Sequence, residues 1–199
     1  VCGPQTLWPP QEGGDDGSVR KLLDTQLASN SKENKVQYGV ATHTVYTCDE
    51  ETLLGGKELA EKHDAYLHIH ISETRKEVAE CYDKHGMYPV EYLDSIDYFI
   101  PNKTICAHGS WVKKSEMRTM ADRTATLVHC PSSNMKLASG FCQVDQLLKQ
   151  GVNVALGTDG AASNNDLDMF GEMHLMAMIA KAVAQDAAAV NAQQALEIA

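Results

Sequence analysis

The sequence predicts an α/β fold, and within that class an incomplete (β/α)8 barrel of the TIM type. Three observations carry the expectation. Short apolar, β-like runs alternate with longer amphipathic stretches, which is the pattern of repeated βα units. The β-like runs hold few charges and are apolar at successive positions, as parallel strands covered on both faces are. Finally, His43, His70, His108, His129 and Asp159 each fall at or just past the C-terminal end of such a run. An open doubly wound sheet shares the first two features but spreads such residues along an edge, whereas a barrel gathers them at one mouth.

Taken in order, a Pro/Gly-rich opening loop at residues 8–17 precedes β-like runs at 37–43, 65–71, 104–107, 125–129 and 153–156. Residues 1–3 read as the end of an earlier strand. Helices are expected at 51–62, 75–84, 113–121, 143–149 and 168–185, with a last one starting near Asn191. Thr47-Cys48-Asp49-Glu50 and Ser72-Glu73-Thr74 supply N-cap residue types and early carboxylates, and Gly151 stands where a helix stop belongs. A full barrel needs about 200 to 250 residues as a minimum. Five or six units in 199 residues therefore leave two or three to be sought upstream. The chain opens on Val-Cys-Gly and ends at Ala199 within a helical stretch, so both ends look cut.

Composition narrows the function classes. The net charge is −10, from 17 basic and 27 acidic residues, with 43% apolar and 22% charged residues. Such a chain can bury a core in one domain and is neither disordered nor low-complexity. The acidic balance argues against a nucleic-acid partner, whose phosphates demand a cationic face. No stretch approaches the ~18 apolar residues of a membrane span, so no membrane partner and a cytoplasmic location are expected. Cys2, Cys48, Cys81, Cys106, Cys130 and Cys142 are scattered without a C-x-x-C pair, which reads as buried thiols in a reducing compartment.

Four segments carry chemistry. In Leu67-His68-Ile69-His70-Ile71-Ser72-Glu73, strand alternation puts His68 and His70 on one face, either as a zinc pair or as two hydrogen-bonded strand histidines. Glu73 follows where the chain turns, and reads as a proton shuttle or as a carboxylate at a helix N-terminus. His108-Gly109 ends a strand on a histidine with open space beside it. Gly157-Thr158-Asp159-Gly160 holds an acid at a strand tip, read against a plain D-G turn. Residues 129–140 read as a long polar loop of the kind that builds ligand contacts, with His129, Ser133 and Asn134 as candidate substrate-binding residues, or else as a surface connection. His63, His85 and His174 read as ordinary histidines.

The strings HIHISE, AHGSW, HCPSSNMKLASG and GTDGAASNNDLDMFGE, in that order, resemble the amidohydrolase superfamily. Within it they are most similar to the 5-methylthioadenosine/S-adenosylhomocysteine deaminases of the triazine-hydrolase/cytosine-deaminase group, from about Gln37 to the C-terminus. The resemblance implies a (β/α)8 barrel, present here from about its third or fourth strand to its eighth, with one divalent metal ion, zinc or else iron, at its mouth. His70 on the fifth strand and Asp159 on the eighth are then metal ligands. Glu73 is the catalytic acid/base, His108 on the sixth strand neighbours the attacking water, Asp159 also accepts that water's proton, and His43 on the fourth strand contacts substrate. His68 would lie one layer deeper and ligate nothing.

Two departures qualify the resemblance. Family members carry an H-x-H metal pair on the first strand, and none precedes His43, which implies an N-terminally truncated chain. Thr42 and Val45 stand where the family commonly has proline, although Tyr46 fits, which leaves substrate preference open. The implied reaction is hydrolytic deamination of a purine nucleoside: a metal lowers the pKa of its water from about 16 to about 7, the hydroxide attacks the amino-bearing ring carbon, and Glu73 protonates the neighbouring ring nitrogen. Guanine deaminase and s-triazine hydrolase are the alternatives within the superfamily. Pro131 does not open the P-C-x-x-C string of polynucleotide deaminases. A reading of another class is a non-catalytic, self-associating chain, because two protein ligands fall short of the usual three. The expected partners are a small-molecule substrate and, since an unclosed barrel exposes strand edges, further copies in a homo-oligomer.

Overall fold

The computed structural model describes residues 5–7, 18–31 and 33–199. Its elements run β1 (Gln5–Leu7), α1 (Ser18–Leu27), β2 (Val40–Thr42), α2 (Glu50–Lys62), β3 (Leu67–Ile71), α3 (Arg75–His85), α4 (Pro89–Ser95), β4 (Thr104–His108), α5 (Lys114–Asp122), β5 (Thr126–His129), α6 (Pro131–Lys136), α7 (Val144–Lys149), β6 (Asn153–Leu156), α8 (Ala161–Asn164), α9 (Met169–Ala184) and α10 (Ala192–Ile198). The six strands pair in sequence order and all in parallel, so the chain forms an arc of a (β/α)8 barrel.

Alternation decides what each strand face meets. Leu67, Ile69 and Ile71 of β3 are fully buried and join one apolar cluster with Leu53 and Leu59 of α2, Cys81 of α3, Met117 and Met120 of α5 and Leu127 of β5. His68 and His70 share the other face and are only partly buried. Tyr98 is fully buried, and its hydroxyl pairs with Thr42 Oγ1 at 2.7 Å, which fastens the segment after α4 to the end of β2.

The five expected strands and six expected helices are present, with ends shifted by a few residues at most. Asp49 caps α2 by accepting from Thr52 N–H at 2.9 Å, Thr74 caps α3, and Gly151 follows α7 at φ 82°. The expected strand end at residues 1–3 and the loop at 8–17 lie outside the described residues. Four helices and β1 were not anticipated. The most consequential is α6, which occupies the start of what reads as a polar loop at 129–140. Pro131 opens it with a preset φ, and its polar Ser133 and Asn134 are buried, so it lacks the apolar stripe that marks a helix in sequence. Pro89 opens α4 in the same way.

Three buried glutamates tie helices to turns. Glu77 accepts Ser72 N–H at 2.7 Å and Glu73 N–H at 2.8 Å. Glu116 accepts Val90 N–H at 2.8 Å and Lys113 N–H at 2.7 Å. Glu172 accepts Ser132 N–H at 3.1 Å and the Asn164 amide at 2.9 Å. Each supplies a carboxylate to donors that would otherwise be orphaned at a helix start or turn. Among the described residues, Cys48, Cys81, Cys106, Cys130 and Cys142 are buried free thiols, and no helix is long and apolar enough to cross a membrane.

Candidate active site at the strand ends

The parallel register carries His43, His70, His108, His129 and Asp159 to the same end of the arc, with Ile71 opposite His108 and His129 opposite Leu156. His70 and His108 lie nearly parallel with ring centroids 5.5 Å apart, and His43 stands edge-on to His70 at 5.2 Å. Beyond β3, Ser72 turns to φ 48°, and the Glu77 clamp holds the following turn so that Glu73 reaches back over the strand ends. Glu73 Oε2 then lies 3.8 Å from His108 Nε2, while Oε1 accepts from the Ser139 hydroxyl at 3.0 Å. His108 at φ 75° and Asp159 at φ 59° also occupy the left-handed region, which costs of order 1–3 kcal/mol each and persists only where surroundings enforce it. Gly109 must be glycine: its φ is 57°, and a Cβ there would collide with Leu127.

His70, Asp159 and His43 each have partners that orient them. The His43 carbonyl accepts both the His70 backbone N–H at 3.0 Å and the His70 ring Nδ1 at 2.9 Å, which leaves the lone pair on Nε2 free. The Asp159 carboxylate accepts the Ser133 hydroxyl at 2.6 Å, the Ser163 hydroxyl at 2.7 Å and the Gly160 amide at 2.7 Å. Burial pushes its pKa up, but those donors outweigh it and hold the carboxyl below the ordinary range. Burial lowers His70 and His43, and it pushes His68 down to about 4 and His129 down to about 3. His43 is steadied through Nδ1 by the Thr47 hydroxyl at 2.8 Å.

The structure thus brings together His43, His70, Glu73 and His108. Asp159 lies close enough for its charge to act on His70. His68 packs edge-on beneath His70 at 5.1 Å. His129, Ser133 and Asn134, the residues expected to contact substrate, are at most 1% exposed in this arc. Their side chains are directed to other residues: Ser133 to Asp159, and Asn134 to His108 and His129. Glu77, Ser139, Thr47 and Ser163 were missed. Of these only Glu77 had a usable signal, one helical turn after Glu73 in SETRKE.

A divalent metal is implied by the resemblance, and the donors fit two of its ligands. His70 pairs Nδ1–H with a carbonyl and presents Nε2, as metal-ligating histidines do, and Asp159 offers an oriented carboxylate. Among the described residues no group of three His, Cys, Asp or Glu side chains is disposed to hold a metal ion.

Parallel strands linked by helices, with histidines and acids gathered at their carboxyl ends, define part of a barrel whose candidate site lies at the mouth. The amidohydrolase family model matches residues 8–199, and the chain belongs to that family. It is 46% identical over 170 residues to the 5'-deoxyadenosine deaminase of Methanosphaera stadtmanae, covering 85% of this chain and 40% of that protein. It is 44% identical over 194 residues to the 5-methylthioadenosine/S-adenosylhomocysteine deaminase of Thermoanaerobacter pseudethanolicus, covering 95% of this chain and 44% of that one. The zinc-bound structure of an adenosine deaminase from Xanthomonas campestris superposes with a TM-score of 0.91 at 34% identity, over 98% of this chain and 45% of that one. The chain spans less than half the length of these relatives.

Proposed function

We propose that this chain is the C-terminal part of a single barrel domain in a metal-dependent hydrolytic deaminase acting on a purine nucleoside of the 5-methylthioadenosine/S-adenosylhomocysteine type. The observation that carries the reading is the placement of Glu73 Oε2 3.8 Å from His108 Nε2, beside the stacked His70 ring. The adenosine-type deaminases among the relatives support the substrate class. The remaining metal ligands, the H-x-H pair that the resemblance implies, would lie on strands upstream of this chain, which covers 40% and 44% of those relatives.

The cation, zinc in the Xanthomonas neighbour, would be held in part by His70 Nε2 and Asp159 and supplies Lewis acidity that makes water nucleophilic at neutral pH. Asp159 takes the proton of the attacking water, and His108 Nε2 orients its oxygen toward the ring carbon that bears the amino group. Glu73 delivers a proton to the adjacent ring nitrogen, so negative charge does not build on the purine. Asp159 then passes the water's proton to the amino group, the new hydroxyl returns its remaining proton to Glu73, the C–N bond breaks, and ammonia leaves while the ring retains the oxygen as a carbonyl. Ser139 and the Glu77 clamp keep the Glu73 carboxyl in place through these transfers.

The test is ammonia release by the full-length protein from a panel of 5-methylthioadenosine, S-adenosylhomocysteine, 5'-deoxyadenosine, guanine and s-triazines. Turnover of the adenine nucleosides is expected, falling about 10²–10⁴-fold in Glu73→Gln. Turnover confined to guanine or triazines, or unchanged in Glu73→Gln, would overturn the reading.

A further inference from the structure

We propose that Asn134 is a positioning residue: its amide, held between the rings of His108 and His129, keeps His108 as the Nδ1–H tautomer, so that the bare Nε2 faces Glu73 and the reacting atoms. The inference rests on the role given above to His108 and deepens it.

Three contacts lead to it. His108 Nδ1 lies 2.9 Å from Asn134 Oδ1. An amide oxygen only accepts, so the proton of that bond sits on Nδ1 and Nε2 is left with its lone pair. On its other side Asn134 Nδ2 lies 3.5 Å from His129 Nδ1. An NH₂ group only donates, so His129 must present a bare Nδ1, and it can do so because burial, with His108 nearby, pushes its pKa down to about 3 and keeps the ring neutral. One amide between two Nδ1 atoms thus forces them into opposite protonation patterns.

The amide is held in place between the two rings: Asn134 is 1% exposed, its backbone N–H donates to Cys130 O at 2.9 Å, and its backbone carbonyl accepts Ser139 N–H at 2.8 Å. The same short helix directs Ser133 to Asp159, so adjacent residues of α6 steady one group at the end of β4 and another beyond β6. At 3.8 Å, His108 Nε2 and Glu73 Oε2 are too far apart for a direct hydrogen bond, and the lone pair remains available to a hydrogen-bond donor placed between them.

Two measurements on the full-length protein test this. In ¹⁵N-histidine-labelled protein, with and without metal, long-range ¹H–¹⁵N correlation spectra read which nitrogen of His108 carries the proton. Nδ1–H is expected in the wild type and in Asn134→Asp, which keeps an acceptor toward His108, and is expected to be lost in Asn134→Leu. Steady-state kinetics should show kcat down about 10–100-fold in Asn134→Leu with KM little changed, and largely restored in Asn134→Asp. An Nε2–H signal for His108 in the wild type overturns the proposal even if the leucine variant fails to fold. So does a folded Asn134→Leu protein with wild-type kcat. A wild type without deaminase activity instead rejects the functional reading, while the ring spectra still judge the tautomer.

Discussion

Leu67, Ile69 and Ile71 along β3 are fully buried in ordinary strand backbone, yet the next residue, Ser72, turns to φ 48° with a buried hydroxyl that has no hydrogen-bond partner. The same change occurs elsewhere on the arc. On β4, buried Cys106 gives way to His108 at φ 75°, and beyond β6 buried Leu156 gives way to Asp159 at φ 59°. The strand bodies gain stability from apolar burial, which is insensitive to exact orientation. The rim spends some of that stability on left-handed backbone and on buried carboxylates bonded to amides, because proton transfer requires side chains aimed in fixed directions.

This contrast can be broken most severely in the strand bodies. Leu127 on β5 is fully buried and lies where a Cβ on Gly109 would strike it. Leu127→Ala should cost about 2–5 kcal/mol, measured by denaturant unfolding. A cost well under 1 kcal/mol would mean that the core beneath the rim collapses freely and does not support it.

The clamps come next. Burial raises Glu116 to about 7 against the pull of the Lys113 and Val90 amides, with the Glu91 charge adding to the rise and the Lys113 charge opposing it. The folded state therefore holds this proton more tightly than the unfolded chain does. The resulting stability is complete below about pH 4.5 and is lost as pH rises through about 7. Melting temperature should decline across that window, and Glu116→Gln should flatten part of the decline, with Glu77, also raised to about 7, supplying the rest. An unchanged slope in the variant would assign the decline to other groups.

The smallest effect is expected at the rim itself. Ser72→Gly relieves a left-handed residue and removes an unpartnered hydroxyl, against the greater chain entropy of glycine. The net should be a gain of about 0.5 kcal/mol in thermal stability together with a lower kcat, since the turn that aims Glu73 loosens. A loss of stability would show that Ser72 stores no strain.

Legibility in sequence followed the same division. Strand positions were readable because apolar runs between turn residues have few alternatives, and α2, α3 and α9 were readable from their caps and length. His70, Glu73, His108 and Asp159 were readable because they close such runs within distinctive strings. The direction of Ser133 and Asn134 was not readable. A polar side chain in a Ser/Asn-rich segment looks the same whether it faces a ligand or supports a neighbour, and only burial separates the two.

The amino-acid sequence by itself determined the class of fold, the family and which chemically active side chains would end the strands, because periodicity and turn chemistry are local properties of the chain. Tertiary structure alone decided how those side chains are aimed. Glu77 on Ser72 and Glu73, Ser133 on Asp159 and Asn134 between two histidines are contacts whose geometry follows only once strands and helices have packed. Hydrogen bonds are directional and short, so a residue's role at the rim is set by its neighbours in space.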